Sequence, residues 1–173
     1  MMTRRALLVG MLALAGTVGA RPALAADAPS PAVPGQAPPG QADAGADIDI
    51  RDSWMQILQP DRRIATGYFT IENRGKDAHL LNGVTAPACH ALYAHHTEQE
   101  STGETAALFD HLALPAQTVL VFPPGGYHLI CSGYDDSVQP GRRIQVTFHF
   151  LGGTTRTVPF DIRPNPDQTD ATP

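Results

Sequence analysis

Between residues 144 and 150 the chain alternates without a break: Ile144, Val146, Phe148 and Phe150 stand against Gln145, Thr147 and His149. Apolar residues at every second position share one buried face only when the backbone is extended, so this segment reads as a half-buried strand. Ile48 and Ile50 alternate with acids in the same way. Further β-type runs are Ile64–Glu72, Leu80–Val84, Ala91–His95, Thr118–Phe122, Tyr127–Cys131 and Thr155–Phe160. Turn chemistry separates them: Asn73-Arg74-Gly75, Pro123-Pro124-Gly125-Gly126, Pro140-Gly141 and Gly152-Gly153. No segment carries a convincing amphipathic helix. Short strands with this punctuation predict an all-β fold, an antiparallel sandwich of the immunoglobulin-like kind or a barrel.

The ends of the chain have a different composition. Arg4 and Arg5 precede a mostly apolar run from Ala6 to Ala20, and Ala23-Leu24-Ala25 supplies a small-x-small pattern. Residues 1–25 are therefore expected to be a cleaved export signal, since the run is shorter than the roughly 20 apolar residues of a membrane span. The Arg4-Arg5 pair matches too little of a twin-arginine signal to choose the export route. Removing 25 of the 173 residues leaves 148, and because three arginines and no acid leave with them, the formal charge moves from −5 to −8. An acidic chain without basic clusters argues against nucleic-acid and anionic-membrane partners. Residues 26–46 are Ala, Pro, Gly, Gln and Asp with few large apolar side chains, which predicts a flexible linker. The tail 164–173 reads the same way, leaving one domain at 47–163.

The seven histidines are the most informative polar residues. His90, His95 and His96 share one segment, His111 follows a loop, and His128 adjoins the Gly125-Gly126 turn. Imidazoles on neighbouring strands can converge on a metal ion, but no tight H-x-x-x-H or C-x-x-C pair is present, and surface histidines are the plainer reading of spacing alone. Strand parity places His128 and Ile130 on one face and Tyr127, Leu129 and Cys131 on the other. His149 falls on the polar face of its strand, and His79 at a loop edge.

Three motifs add a family resemblance. Asp49-Ile50-Arg51-Asp52-Ser53-Trp54, Gly67-Tyr68-Phe69-Thr70-Ile71-Glu72-Asn73 and above all Pro124-Gly125-Gly126-Tyr127-His128-Leu129, the last following the Pro115–Val119 stretch, resemble the PCu(A)C family of periplasmic copper chaperones over residues 47–160. The resemblance implies a Greek-key β-sandwich related to cupredoxins. It also implies a Cu(I) site of two histidines and two methionines, and delivery of copper to a cytochrome c oxidase subunit alongside thiol-bearing Sco-type partners. Carried over residue by residue, the second histidine is His128 and the first is His95, with His96 as the alternative register. Both methionines are missing: Ile130 occupies one position, the 97–110 loop has none, and the only methionine after the leader is Met55. Imidazole without thioether suits Cu(II) as well as Cu(I), so the implied site is an altered one, with His96, His111, Glu98 or Glu100 as candidate further donors. A copper-free descendant acting as an envelope interaction module is the alternative.

Pro87-Ala88-Cys89 and Cys131 match cysteine positions that some sequences of this family carry. In an oxidising compartment a disulfide between them is the expected state. A reduced cysteine standing in for the lost thioethers, or a redox-active pair, are the competing readings, and strand parity sets Cys131 on the opposite face from His128. The aromatic residues Trp54, Tyr68, Phe69, Phe122, Phe148, Phe150 and Phe160 read as core or half-buried sheet residues. Gly125 and Gly126 read as a turn needing positive φ. No nucleophile elbow, phosphate loop or paired catalytic carboxylates are found, so no enzymatic activity is expected.

Overall fold

A computed structural model describes residues 43–97 and 106–165. Among these residues nine strands form one continuous, curled sheet: β1 (Ile48–Gln59), β2 (Ile64–Asn73), β3 (His79–Thr85), β4 (Ala91–His96), β5 (Leu112–Leu114), β6 (Thr118–Phe122), β7 (Tyr127–Ser132), β8 (Arg143–Phe150) and β9 (Thr155–Arg163). Their order across the sheet is β4-β7-β2-β1-β9-β8-β3-β5, with β6 beside β2. Neighbours are antiparallel except β1 and β9, which run parallel from Trp54↔Asp161 to Gln56↔Arg163. The all-β expectation holds, with that one parallel contact as the departure.

The alternating positions converge as the pattern requires. Val146, Phe148, Phe150 and Phe160 are almost fully buried, while Gln145 and the other intervening residues of β8 face outward. Phe69 is central: its ring stacks on Phe122 at 4.5 Å and meets Phe148 edge-on at 5.1 Å. Such ring geometries stabilise beyond simple burial.

Two elements escaped the sequence pattern. The first strand continues to Gln59 through a bulge between Arg51 and Trp54, where Asp52 adopts φ 54° and breaks the alternation. Strand β5 has only three residues; it pairs with β3, and buried Asn73 holds its end, its amide donating to the Leu114 and Pro115 carbonyls at 2.9 and 3.1 Å. At the amino end, Ala44–Asp47 form one helical turn with Ala44 fully buried, so packing begins inside the stretch read as linker. Residues 26–42 of that stretch lie outside the described residues, as do the leader and residues 166–173. His79 opens β3 as a buried residue, its Nε2 2.9 Å from Asp47 Oδ2. No helix among the described residues is long and apolar enough to cross a membrane.

Candidate metal site

Strand β2 changes partner at Tyr68. Its first half pairs with β7, ending at Gly67↔Leu129, and its second half pairs with β6, beginning at Phe69↔Phe122. Residues 123–128 are thereby looped out of the β2 ladder, and Pro123-Pro124-Gly125-Gly126 makes the turn. Gly125 takes φ 83°, as the sequence suggests, and Gly126 does not need a positive φ. The returning chain pairs instead with β4, in a register that sets His95 directly opposite His128.

The two imidazoles lie edge-on with ring centroids 5.2 Å apart. For imidazole–metal bonds of about 2.0–2.1 Å, two rings gripping one ion have centroids no more than about 6 Å apart, so the spacing fits a shared ion. His128 is buried, and its Nδ1 lies 2.9 Å from the Gly126 carbonyl oxygen. A carbonyl only accepts, so Nδ1 carries the proton and donates, which leaves the lone pair on Nε2 for a metal. Burial pushes the His128 ring below its ordinary range; the Gly126 hydrogen bond opposes this, and the charges of His95 and His96 add to the lowering. The ring is held as the neutral donor that metal binding needs.

Tyr68, at the position where β2 changes partner, closes the other side of His128 at 5.6 Å between centroids. Its hydroxyl is 3.0 Å from Thr66 Oγ1. Trp54 packs on Tyr68 at 4.5 Å and is covered by the Arg163 guanidinium at 4.4 Å. Tyr68 therefore belongs to the face that carries the histidines, away from the phenylalanine core.

The remaining candidates divide clearly. His96 pairs with Tyr127, ring to ring at 4.5 Å, on the opposite face of β4 from His95. It does not point with the pair, because neighbouring residues of a strand face opposite ways. His111 is exposed after the Leu108–Asp110 turn. Among the described residues no three His, Cys, Asp or Glu side chains come together as a metal group, so neither histidine serves as a third donor in this geometry. Glu98 and Glu100 lie outside the described residues. Ile130 is buried beside His128, opposite Tyr93, and brings no donor atom; Met55 is fully enclosed in the core. Cys89 and Cys131 are joined by a disulfide with Cα atoms 5.5 Å apart. That bond removes both sulfurs as thiolate ligands. His149 accepts or donates to Thr85 Oγ1 at 2.8 Å. The sequence reading overlooked the Gly126 carbonyl and the Tyr68 wall, although Gly126 stands two residues before His128 in the same motif.

Residues 48–162 match the family described as "Putative lipoprotein LpqE-like". The chain belongs to that family. A relative from Leifsonia xyli subsp. xyli, "Putative lipoprotein Lxx21020", is 25% identical over 117 residues, 67% of this chain and 69% of its own length. Among solved structures, the copper-bound PCuAC domain from PmoF2 superposes with a TM-score of 0.56 at 18% identity, covering 69% of this chain and 94% of that domain. The Cu(I) form of DR1885 from Deinococcus radiodurans gives a TM-score of 0.52 at 20% identity, covering 75% and 92%. This LpqE-like chain has the fold of PCuAC domains, as its motifs imply.

Proposed function

We propose that this chain is an exported, non-enzymatic copper carrier that holds its cargo between His95 and His128. The observation that carries the reading is their direct cross-strand register, with His128 fixed as the Nδ1–H tautomer. The PCuAC fold of the copper-bound neighbours supports it. Two imidazoles satisfy Cu(I) in a low-coordinate arrangement and hold it less tightly than a set including thioethers. His128 keeps Nε2 available, His95 supplies the second nitrogen, and the Tyr68–Trp54 wall keeps water from the inner side of His128. The remaining coordination positions are filled by the donors of a receiving protein, so transfer proceeds by ligand exchange. A cytochrome c oxidase subunit and Sco-type thiol proteins are receivers of the right softness.

Export is supported by the leader pattern and by relatives named as lipoproteins. Lipidation is not carried over from those names, because the two cysteines of the sequence are bonded to each other.

The test is anaerobic Cu(I) titration of the purified protein against a competing chelator, repeated for His95→Ala, His128→Ala and the double variant. One ion per chain is expected, with affinity falling in each single variant. Unchanged affinity in the folded double variant removes the site. A folded wild type that takes up no copper favours the interaction-module alternative.

A further inference from the structure

Strand β4 ends the strand order and is hydrogen-bonded in the sheet to β7. A slip of this six-residue strand by one position would turn its faces over, but a slip by two would preserve them. After such a slip His95 would face Ile130 or Gly126, and the histidine pair would be gone. Face burial alone therefore does not select the register that builds the site.

The disulfide does select it. Cys131 pairs with Leu92, and Cys89, three residues before Leu92, is bonded to that same Cys131. The adjoining backbone fastens at two more points: His90 N–H donates to the Ser132 carbonyl and Asp135 N–H to the Ala88 carbonyl, both at 3.0 Å. Cys131 faces the core while His128, three residues earlier, is buried on the opposite face of the strand. The sulfurs thus act on the histidines through strand register and touch neither ring.

We propose that the Cys89–Cys131 disulfide is the positioning device of the histidine pair, and that its reduction couples copper retention to thiol redox state; this rests on the copper reading above. Cys131 is fully enclosed and Cys89 only half-buried, so an incoming dithiol meets the Cys89 sulfur. One of its thiolates forms a mixed disulfide there, the Sγ–Sγ bond breaks, and the Cys131 sulfur leaves with the electron pair and takes a proton. The second thiol of the reagent then displaces Cys89, which is protonated in turn, and the reagent closes to its own disulfide. Two electrons and two protons pass to the protein. The freed edge strand loses its register.

The test compares oxidised wild type with Cys89→Ala/Cys131→Ala, chosen because free thiols would bind copper themselves. The readouts are Cu(I) affinity, amide hydrogen exchange along residues 93–96, and the ring-to-ring NOE between His95 and His128. Val158→Ala, with the disulfide intact, controls for general loss of stability. Expected in the double variant are affinity about tenfold weaker or worse, faster exchange in β4 with β8 still protected, and loss of the NOE, while Val158→Ala keeps all three. Retained affinity and NOE in the double variant overturn the proposal, as does an equal loss in Val158→Ala. Should the double variant fail to fold, exchange in metal-free wild type is measured before and after reduction by dithiothreitol; uniform acceleration across β4 and β8 overturns the lock. If oxidised wild type binds no copper, the carrier reading falls, and the exchange and NOE arms still decide the lock.

Discussion

Gly67 sits where three strands meet, and adding one methyl group there tests how tightly the sheet beneath His128 is packed. A Cβ on residue 67 would lie 3.0 Å from Met55 Cε, 3.3 Å from Leu129 Cβ and 3.4 Å from Phe160 Cε1. The first of these is a flexible chain end, but Met55 is fully buried and has no solvent to retreat into. Gly→Ala restricts the unfolded chain and by itself stabilises by about 0.4–1 kcal/mol. Overpacking a filled core costs about 1–3 kcal/mol. The steric effect wins, and Gly67→Ala is expected to lose about 1–2 kcal/mol, a fall in Tm of about 4–8 °C for a domain of this size. Thermal unfolding followed by circular dichroism measures it. The companion Met55→Val removes the closest atom, so the double variant should lose less than the two single losses together, by about 0.5 kcal/mol or more. A Gly67→Ala protein with Tm at or above wild type, or single losses that simply add, refutes the packing argument.

The other expectations concern charge, anchoring and a spectroscopic signal. Because burial lowers the His128 pKa, the unfolded state binds its proton first as pH falls. Stability should therefore drop from about pH 6.5 downward and level off once the folded ring also titrates; urea midpoints from about pH 7.5 to about pH 5 should show this slope, and His128→Asn should flatten it. Metal retention should persist somewhat below pH 6.5 for the same reason, since a depressed pKa weakens proton competition. His79→Ala, which strips the buried partner of Asp47 and leaves a void, should lose about 2–4 kcal/mol, with His79→Gln losing less; equal losses would show that the Asp47 contact contributes nothing. Trp54, the only tryptophan, touches Tyr68, which touches His128; Cu(II) at the pair should quench its fluorescence stoichiometrically, and quenching that survives His128→Ala would put the ion elsewhere.

Period-two alternation made β8 legible because Ile144 to Phe150 meet one core, and turn residues marked where most strands stop. The second half of β1 was not legible, since the bulge at Asp52 shifts Trp54 and Met55 out of phase with Ile48 and Ile50. Strand β5 was hidden by its brevity, its place set by pairing with β3 and by an Asn73 side chain from a distant strand. At the site, the resemblance supplied His95 and His128 as individuals. Their pairing depends on β4 lying beside β7, a contact between segments more than thirty residues apart that no local pattern encodes. Parity could separate His95 from His96 in advance, but it tells which face a residue takes and not what stands beside it. For that reason Tyr68 and Trp54 read as ordinary sheet aromatics.

The Gly126 carbonyl and the ring it orients belong to the same short turn. The donor therefore arrives ready-made: its rotamer and proton position are set by a hexapeptide rather than assembled from remote parts of the chain. On the copper-carrier proposal, an ion entering such a half-site meets little conformational searching on this side, and adjustment on loading falls to the His95 side chain. Under that proposal the two sides of the site differ: one ring is oriented by its own turn, and the other is placed through the register of the outermost strand.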